Sequence, residues 1–322
     1  MKLARLFVVL SVVSALGTVA IAEQRGRGGR AGRGGRGQER VLTPEQQTAR
    51  DEAQARNARP MDALDSVWLE ELTVTEVADA INSGKTTALI LTGGVEANGP
   101  HLAQGKHNYV LRQTGESIAR ELGNALIMPI ITLEPSGNFG GEVRVGTAGP
   151  RISQETYLAL LTDVGDSLRG MGFKNILYLG DSGSNRRGMQ SAANALNTKY
   201  KGEPANFYHI PEYYDYQSVQ EYIRDTLKIS EMIDIPGSNG WADRLHEDYG
   251  IDALMALEDP ETIRFEQRVK AGRAIINGVP LEPLSRLLDH GRQFLELRTR
   301  LTVAEIKKAM AGPPETYGQP NQ

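Results

Sequence analysis

The residues best suited to chemistry gather in one short stretch, Gly93-Gly94-Val95-Glu96-Ala97-Asn98-Gly99-Pro100-His101-Leu102, with His107 five positions further on. A carboxylate, a carboxamide and two imidazoles this close together offer a general base, hydrogen-bond donors and ligands for a divalent ion. Glu96 reads as a metal ligand or general base, or else as a carboxylate that braces the loop through backbone N–H groups. His107 reads as a ligand or as a helix-start histidine, and His101, after Pro100, as a loop brace. A second cluster, Gly180-Asp181-Ser182-Gly183-Ser184-Asn185, adds a carboxylate and two hydroxyls. A third sets Asp243 one helical turn before His246, where a carboxylate can fix the tautomer of an imidazole; a surface helix pair is the alternative. Trp241 lies close to His246 and is the better pocket-wall candidate, with Trp68 as core or wall. His209 and His290 have no such context and read as structural. The aromatic and acidic run 209–216 reads as a folded loop, with a pocket rim or subunit contact as the other use.

Both of the first two clusters follow apolar runs of β type, Thr87–Thr92 and Asn175–Leu179. Loops at the carboxyl ends of buried parallel strands are where α/β domains carry their chemistry. Around these runs, strand and helix patterns alternate. Thr73–Ile81 is a short amphipathic helix ended by Ser83-Gly84, and Asn108–Leu122 is a helix with Val110, Thr114, Ile118 and Leu122 four apart and Gly123 as its stop. Ala125–Ile131 reads as a strand, Ser153–Met171 as a helix closed by Gly172, and 187–200 as another helix. Thr43-Pro44-Glu45 marks the start of a polar, peripheral helix. The alternation predicts an α/β domain, a three-layer α/β/α arrangement on a mainly parallel central sheet.

The ends of the chain read differently. Residues 1–22 have the basic start, apolar core and Ala20-Ile21-Ala22 ending of a cleavable signal peptide, which predicts an exported protein, periplasmic or secreted, with no stable membrane insertion after cleavage. The apolar core is interrupted and short for a membrane span. Residues 23–40 repeat Arg and Gly with almost no apolar side chain and are expected to be a disordered linker. Residues 41–312 then form a single domain, and 313–322 a flexible tail. The chain has no cysteine, which excludes disulfides, thiolate ligands and cysteine catalysis. Its net charge is −4, but residues 41–322 alone carry −10, so the folded domain is a poor nucleic-acid binder and suits a small or neutral partner.

The loop Gly94-Val95-Glu96-Ala97-Asn98-Gly99-Pro100-His101-Leu102 resembles the Gly-Ser-x-Glu-Gln-His-Gly-Pro-His-Leu loop of the creatininase (creatinine amidohydrolase) family. Phe139-Gly140-Gly141 through Val145-Gly146-Thr147, the strand and loop at 175–185, and His246 ahead of Asp259-Pro260-Glu261 are similar to later segments of that family, in the same order. The resemblance covers about residues 68–270. It implies a creatininase-like fold, a homo-oligomer, and hydrolysis of a C–N bond of a small cyclic or linear amide at a two-metal centre of zinc or manganese.

Transferred position by position, that centre is altered. Glu96 matches a ligand, Asn98 stands for a histidine, His107 for the bridging aspartate, and Ser182 and Ser184 for a histidine and an acidic residue. His246 matches the histidine that moves protons beside the substrate. Two ions about 3.5–4 Å apart need a bridging carboxylate, and Asn and Ser are weak donors for zinc. The expectation is therefore one ion rather than two, or none. Glu96, His107 and Asp181 are the candidate ligands, with His101 and Glu142 as substitutes. Glu96 and His246 are the candidate catalytic groups, and Asn98, Ser182, Ser184 and Trp241 the candidate substrate contacts. The alternatives are a non-catalytic binding or assembly protein of the same fold, and a serine hydrolase using Ser182 with Asp243 and His246. The mid-domain position of Ser182 counts against the last.

Overall fold

The computed structural model describes residues 42–56, 62–96, 98, 100–135, 149–229, 247–276 and 278–314. The chain divides into two compact units, Met1–Met61 and Asp62–Gln322. In the first, helix α1 (Pro44–Arg56) begins where the sequence places it. Gln46 N–H donates to Thr43 Oγ1 at 3.3 Å and Thr43 N–H to Gln46 Oε1 at 3.1 Å, a reciprocal cap. The signal-peptide and Arg/Gly segments lie outside the described residues. Among the described residues no helix is long and apolar enough to cross a membrane.

The second unit is the α/β domain. Helix α2 (Val74–Asn82) is capped by Thr73 and Glu76, and strand β1 (Thr87–Thr92) follows. After α3 (Lys106–Leu122), β2 (Ala125–Ile127), α4 (Gln154–Gly170), β3 (Asn175–Gly180), α5 (Arg186–Lys199) and β4 (Asn206–His209), a helical segment completes the chain. That segment comprises α6 (Tyr216–Asp225), α7 (Tyr249–Glu258), α8 (Phe265–Lys270), a two-residue-strand hairpin at 275–280 and the 27-residue α9 (Leu284–Met310). The sheet order is β2-β1-β3-β4, and every pairing is parallel.

Strand alternation sorts the core into two faces. Ala88, Ile90, Leu126, Ile176, Tyr178 and Phe207 pack with α4 and α5. Leu89, Leu91, Ile127, Leu177, Leu179 and Tyr208 pack with α3 and the end of α9. A third apolar cluster joins α7, α8 and α9 to Leu102 and Val110. This is the expected mainly parallel sheet between helical layers. One boundary differs: β2 ends at Ile127, not Ile131. Pro129 has no N–H to give the ladder, so the chain bulges there and rejoins β1 through Ile131 N–H to Leu91 O at 2.9 Å. Helix α3 also starts two residues earlier than the periodicity predicts, which brings Lys106 and His107 into its first turn.

His209, at the end of β4, is buried with Nδ1 on Gln190 Oε1 at 3.1 Å and no partner for Nε2. Burial, aided by the nearby Arg186 charge, pushes its pKa down to about 4. The folded state therefore holds it neutral while the unfolded chain protonates near 6.5. Stability is expected to fall as pH drops from about 6.5 to 4, by up to about 3 kcal/mol. His209→Gln should flatten that part of the stability profile in urea unfolding followed against pH.

Candidate active site

The order β2-β1-β3-β4 reverses direction between β1 and β3: the chain runs from β1 outward to β2, then crosses back to β3. A crevice outside the carboxyl ends of two strands at such a switch point is the default site of an open α/β sheet. Thr92 and Gly180, the last residues of β1 and β3, are register partners, so the Glu96 loop and the Asp181 loop leave the sheet side by side.

The Glu96 loop is held by backbone and carboxamide contacts. Gly94 N–H donates to Asn108 Oδ1 at 3.1 Å, and Glu96 N–H to Gln104 O at 3.1 Å. Asn98 Nδ2 donates to Ala103 O at 3.3 Å and Gln104 O at 3.4 Å, tying the loop closed. A Cβ at position 94 would lie 2.6 Å from the Glu134 carboxyl carbon, so any larger residue there would displace that carboxylate. Asn185 Nδ2 reaches back to Thr92 O and Gly93 O, both at 2.8 Å, and fixes the two loops to each other.

His107 is the centre of the arrangement. Its Nδ1 lies 2.8 Å from Asp181 Oδ2, and its Nε2 makes a short contact to Glu96 Oε1. Lys106 Nζ lies 3.3 Å from the same Glu96 oxygen. Asp181 is fully buried and also accepts from Tyr216 O–H at 2.9 Å and from Arg298 Nη2 at 2.8 Å. Arg298 comes from α9 and lies between the rings of Tyr213 and Tyr216, 4.7 and 4.8 Å from their centroids. Lys106 and Arg298 are 2% and 3% exposed, so both charges have left bulk water and depend on these carboxylates.

The titration shifts follow from this packing. Burial pulls the His107 pKa down, but the bonds to Asp181 and Glu96 and the Asp181 charge outweigh it, and the net shift is upward. Burial pushes Asp181 up, but Arg298 and His107 prevail and hold it below the usual carboxylate range. The two shifts agree on a charged pair. Burial, then the Asp181 charge, raises Tyr216 well above the usual phenol range, which keeps it a neutral donor.

Ser182 and Ser184 face a different carboxylate. Ser182 Oγ donates to Glu134 Oε2 in a short contact, Ser184 Oγ to the same oxygen at 2.7 Å, and the two hydroxyls are 3.0 Å apart. The described partners of the Ser182 hydroxyl are thus a carboxylate, a hydroxyl and the Ser184 N–H, with no imidazole among them.

Of the residues singled out from the sequence, Glu96, His107 and Asp181 come together. Asn98, Ser182 and Ser184 lie on the same two loops, bonded to backbone or to Glu134. His246, Trp241, Asp243 and Glu142 lie outside the described residues. Lys106, Glu134, Tyr216 and Arg298 are additions from the structure. Arg298 did leave a signal: it stands in the stripe Leu287, Gly291, Phe294, Arg298, Thr302, Ile306, where a 3.6-residue repeat places core side chains and a charge needs a buried partner.

The donors among the described residues do not make up a two-metal centre. His107 Nδ1 is bonded to Asp181, and Nε2, the nitrogen left to ligate, is turned onto Glu96 Oε1. Because those nitrogens lie on opposite sides of the ring, Glu96, His107 and Asp181 do not converge on one point. Among the described residues no group of three His, Asp or Glu side chains does. An ion bound to Glu96 Oε1 at about 2 Å would sit within about 5.4 Å of the Lys106 ammonium. At an effective dielectric of about 20 that repulsion is about 6 kcal/mol or more for a divalent ion.

The architecture is that of a three-layer α/β/α domain with a polar, charged centre at its switch point. The family model described as creatininase, creatinine amidohydrolase, matches residues 70–271, more than half of the chain, and the protein belongs to that family. Solved structures share the fold. A tryptophan mutant of creatininase is covered over 100% of its length by 77% of this chain, at 16% identity and a TM-score of 0.54. A creatinine amidohydrolase (creatininase) is likewise covered over 100% by 78% of the chain, at 19% identity and a TM-score of 0.51. A zinc–zinc form of a glutamate mutant of creatininase is covered over 98% by 77% of the chain, at 18% identity and 0.51. No curated protein matches the sequence.

Proposed function

We propose that this protein is an amidohydrolase-type enzyme that cleaves a C–N bond of a small cyclic or linear amide in the crevice between β1 and β3. The observation that carries this reading is the Asp181–His107–Glu96 chain of contacts at the family's site loop. Asp181, fully buried, orients the ring and stabilises its charge. Glu96 is the outer member, with 23% of its side chain exposed, and is the group that meets water or substrate. Glu96 accepts a proton from the attacking water as its oxygen bonds to the amide carbon. Glu96 then passes that proton to the leaving nitrogen as the C–N bond breaks, while His107, already protonated, holds and orients the Glu96 carboxylate. This division of roles, with an orienting carboxylate, an imidazole and a base at the surface of the site, is workable general acid–base geometry.

The test is a hydrolysis screen over small linear and cyclic amides with the full chain. Glu96→Gln is expected to lower turnover by about 10²–10⁴-fold, because the variant keeps the shape but cannot accept the proton. Hydrolysis that survives this change intact would remove Glu96 from the mechanism. A second reading, a non-catalytic binding protein of the same fold, is favoured by the use of Asn98, Ser182 and Ser184 on loop backbone and Glu134. It predicts no turnover in the screen. The same proposal includes export: residues 1–22 would be removed, leaving a periplasmic or secreted enzyme, which assembles as a homo-oligomer.

A further inference from the structure

We propose that the centre works without a bound metal, its positive charge being supplied by Lys106 and Arg298 instead of divalent ions. The inference extends the reading of the site given above, but it concerns ion binding and stands whether or not an amide substrate is found.

Three observations carry it. Two of the carboxylates at the crevice, Glu96 and Asp181, are already paired with cationic side chains. Glu96 Oε1 is shared by Lys106 Nζ at 3.3 Å and His107 Nε2, while Asp181 has Arg298 on Oδ1 at 2.8 Å and His107 and Tyr216 on Oδ2 at 2.8 and 2.9 Å. Charge balance inside a poorly hydrated site therefore leaves little to attract a further cation.

Second, the two serines that replace ligands are engaged with a carboxylate of the protein itself. Asn98 turns its NH₂ to the loop backbone and keeps its Oδ1 buried without a hydrogen-bond partner among the described residues, while Ser182 and Ser184 give their hydroxyl protons to Glu134. Third, the counter-charge to Asp181 is built from outside the family-matched region. That region ends at residue 271, whereas Arg298 sits on α9, seated between Tyr213 and Tyr216 and bonded also to Tyr213 O at 3.1 Å. A guanidinium so placed is a built part of the site, and it supplies positive charge directly to Asp181 Oδ1.

The wild-type full chain is loaded with zinc, manganese or cobalt(II), exchanged into metal-free buffer, and measured by elemental analysis and by calorimetric titration. The expected result is well under one ion per chain, no saturable heat and no visible cobalt(II) ligand-field absorption. One or two equivalents of ion that are lost in both Glu96→Gln and Asp181→Asn would overturn the proposal. Ion retained in both variants is bound elsewhere and leaves the centre metal-free as proposed.

The converse test is the double variant Lys106→Asn/His107→Asp, which removes the ammonium and places a second carboxylate beside Glu96. It is expected to gain cobalt(II) absorption. A folded double variant that gains none counts against charge replacement as the reason the wild type binds no ion. If the double variant does not fold, the wild-type titration decides alone. Failure to find any amide substrate would sink the hydrolase reading and leave these binding results untouched.

Discussion

Arg298→Met is expected to lower the unfolding free energy of the α/β domain by about 3–5 kcal/mol, the cost of leaving a buried charge without its partner. Asp181 is fully buried and Arg298 nearly so, and the guanidinium is the one permanent cation bonded to that carboxylate among the described residues. Methionine keeps much of the hydrophobic contact with Tyr213 and Tyr216, so the loss reports the charge and not a cavity. Urea unfolding of the variant measures it. A loss below about 1 kcal/mol, the value of an exposed pair, would mean that the pair is hydrated in solution. The double variant Asp181→Asn/Arg298→Met should recover part of the loss, since the penalty belongs to the orphaned carboxylate. Arg298→Lys is expected to recover less than charge conservation suggests, because an ammonium cannot stack flat between two rings.

His107→Gln is expected to reduce amide turnover by about 10²–10⁴-fold, the usual worth of a proton-transfer group, because Glu96 loses the imidazolium that positions it. The same substitution has a signature in stability that a purely catalytic residue would lack. The folded-state pKa of His107 lies above its unfolded value, so its stabilising charge is fully present below about 6.5 and is lost as pH rises through the folded pKa. Asp181 behaves oppositely: its pKa is depressed, its contribution is present above about 3.8, and it is lost as pH falls through the folded value. Wild-type stability should therefore decline on the alkaline side of the His107 titration, and His107→Gln should remove that decline while leaving the acid side. Turnover and unfolding measured across the same pH series check both parts. An unchanged alkaline limb in the variant would place the titrating group elsewhere.

Much of this could be read before any coordinates. Continuous apolar runs located β1 and β3, which are buried on both faces, and the helical patterns located α2, α3, α4 and α5, each of which buries one face. The apolar runs ending in Gly93-Gly94 and Gly180-Asp181 marked the two loops of the crevice, and the structure brings Glu96, His107 and Asp181 into one contact chain. What the sequence hid is pairing over distance. Nothing local announces that Glu134, on an irregular segment, will accept from Ser182 and Ser184, or that Tyr216 will turn from an aromatic loop onto Asp181. Lys106 reads as an ordinary solvent-facing residue at a helix start, where the helix dipole disfavours a cation. Its burial becomes intelligible only once the Glu96 carboxylate is seen folded back over the same turn. The strand at 125–131 was overextended because its apolar composition outweighed the one residue, Pro129, that cannot donate to a ladder.

Helix α9 gives the domain a particular order of assembly. Asp181 and Arg298 are 117 residues apart in sequence, so their meeting closes one of the longer loops in the fold. Until that final helix docks, the innermost carboxylate must keep its hydration shell, and the strand ends around it stay accessible to solvent. A nascent chain emerging from its amino terminus can therefore pair its strands early, yet the reactive groove dries out only when the carboxyl-terminal segment has been delivered. Drying of the crevice is thereby tied to the synthesis and docking of α9.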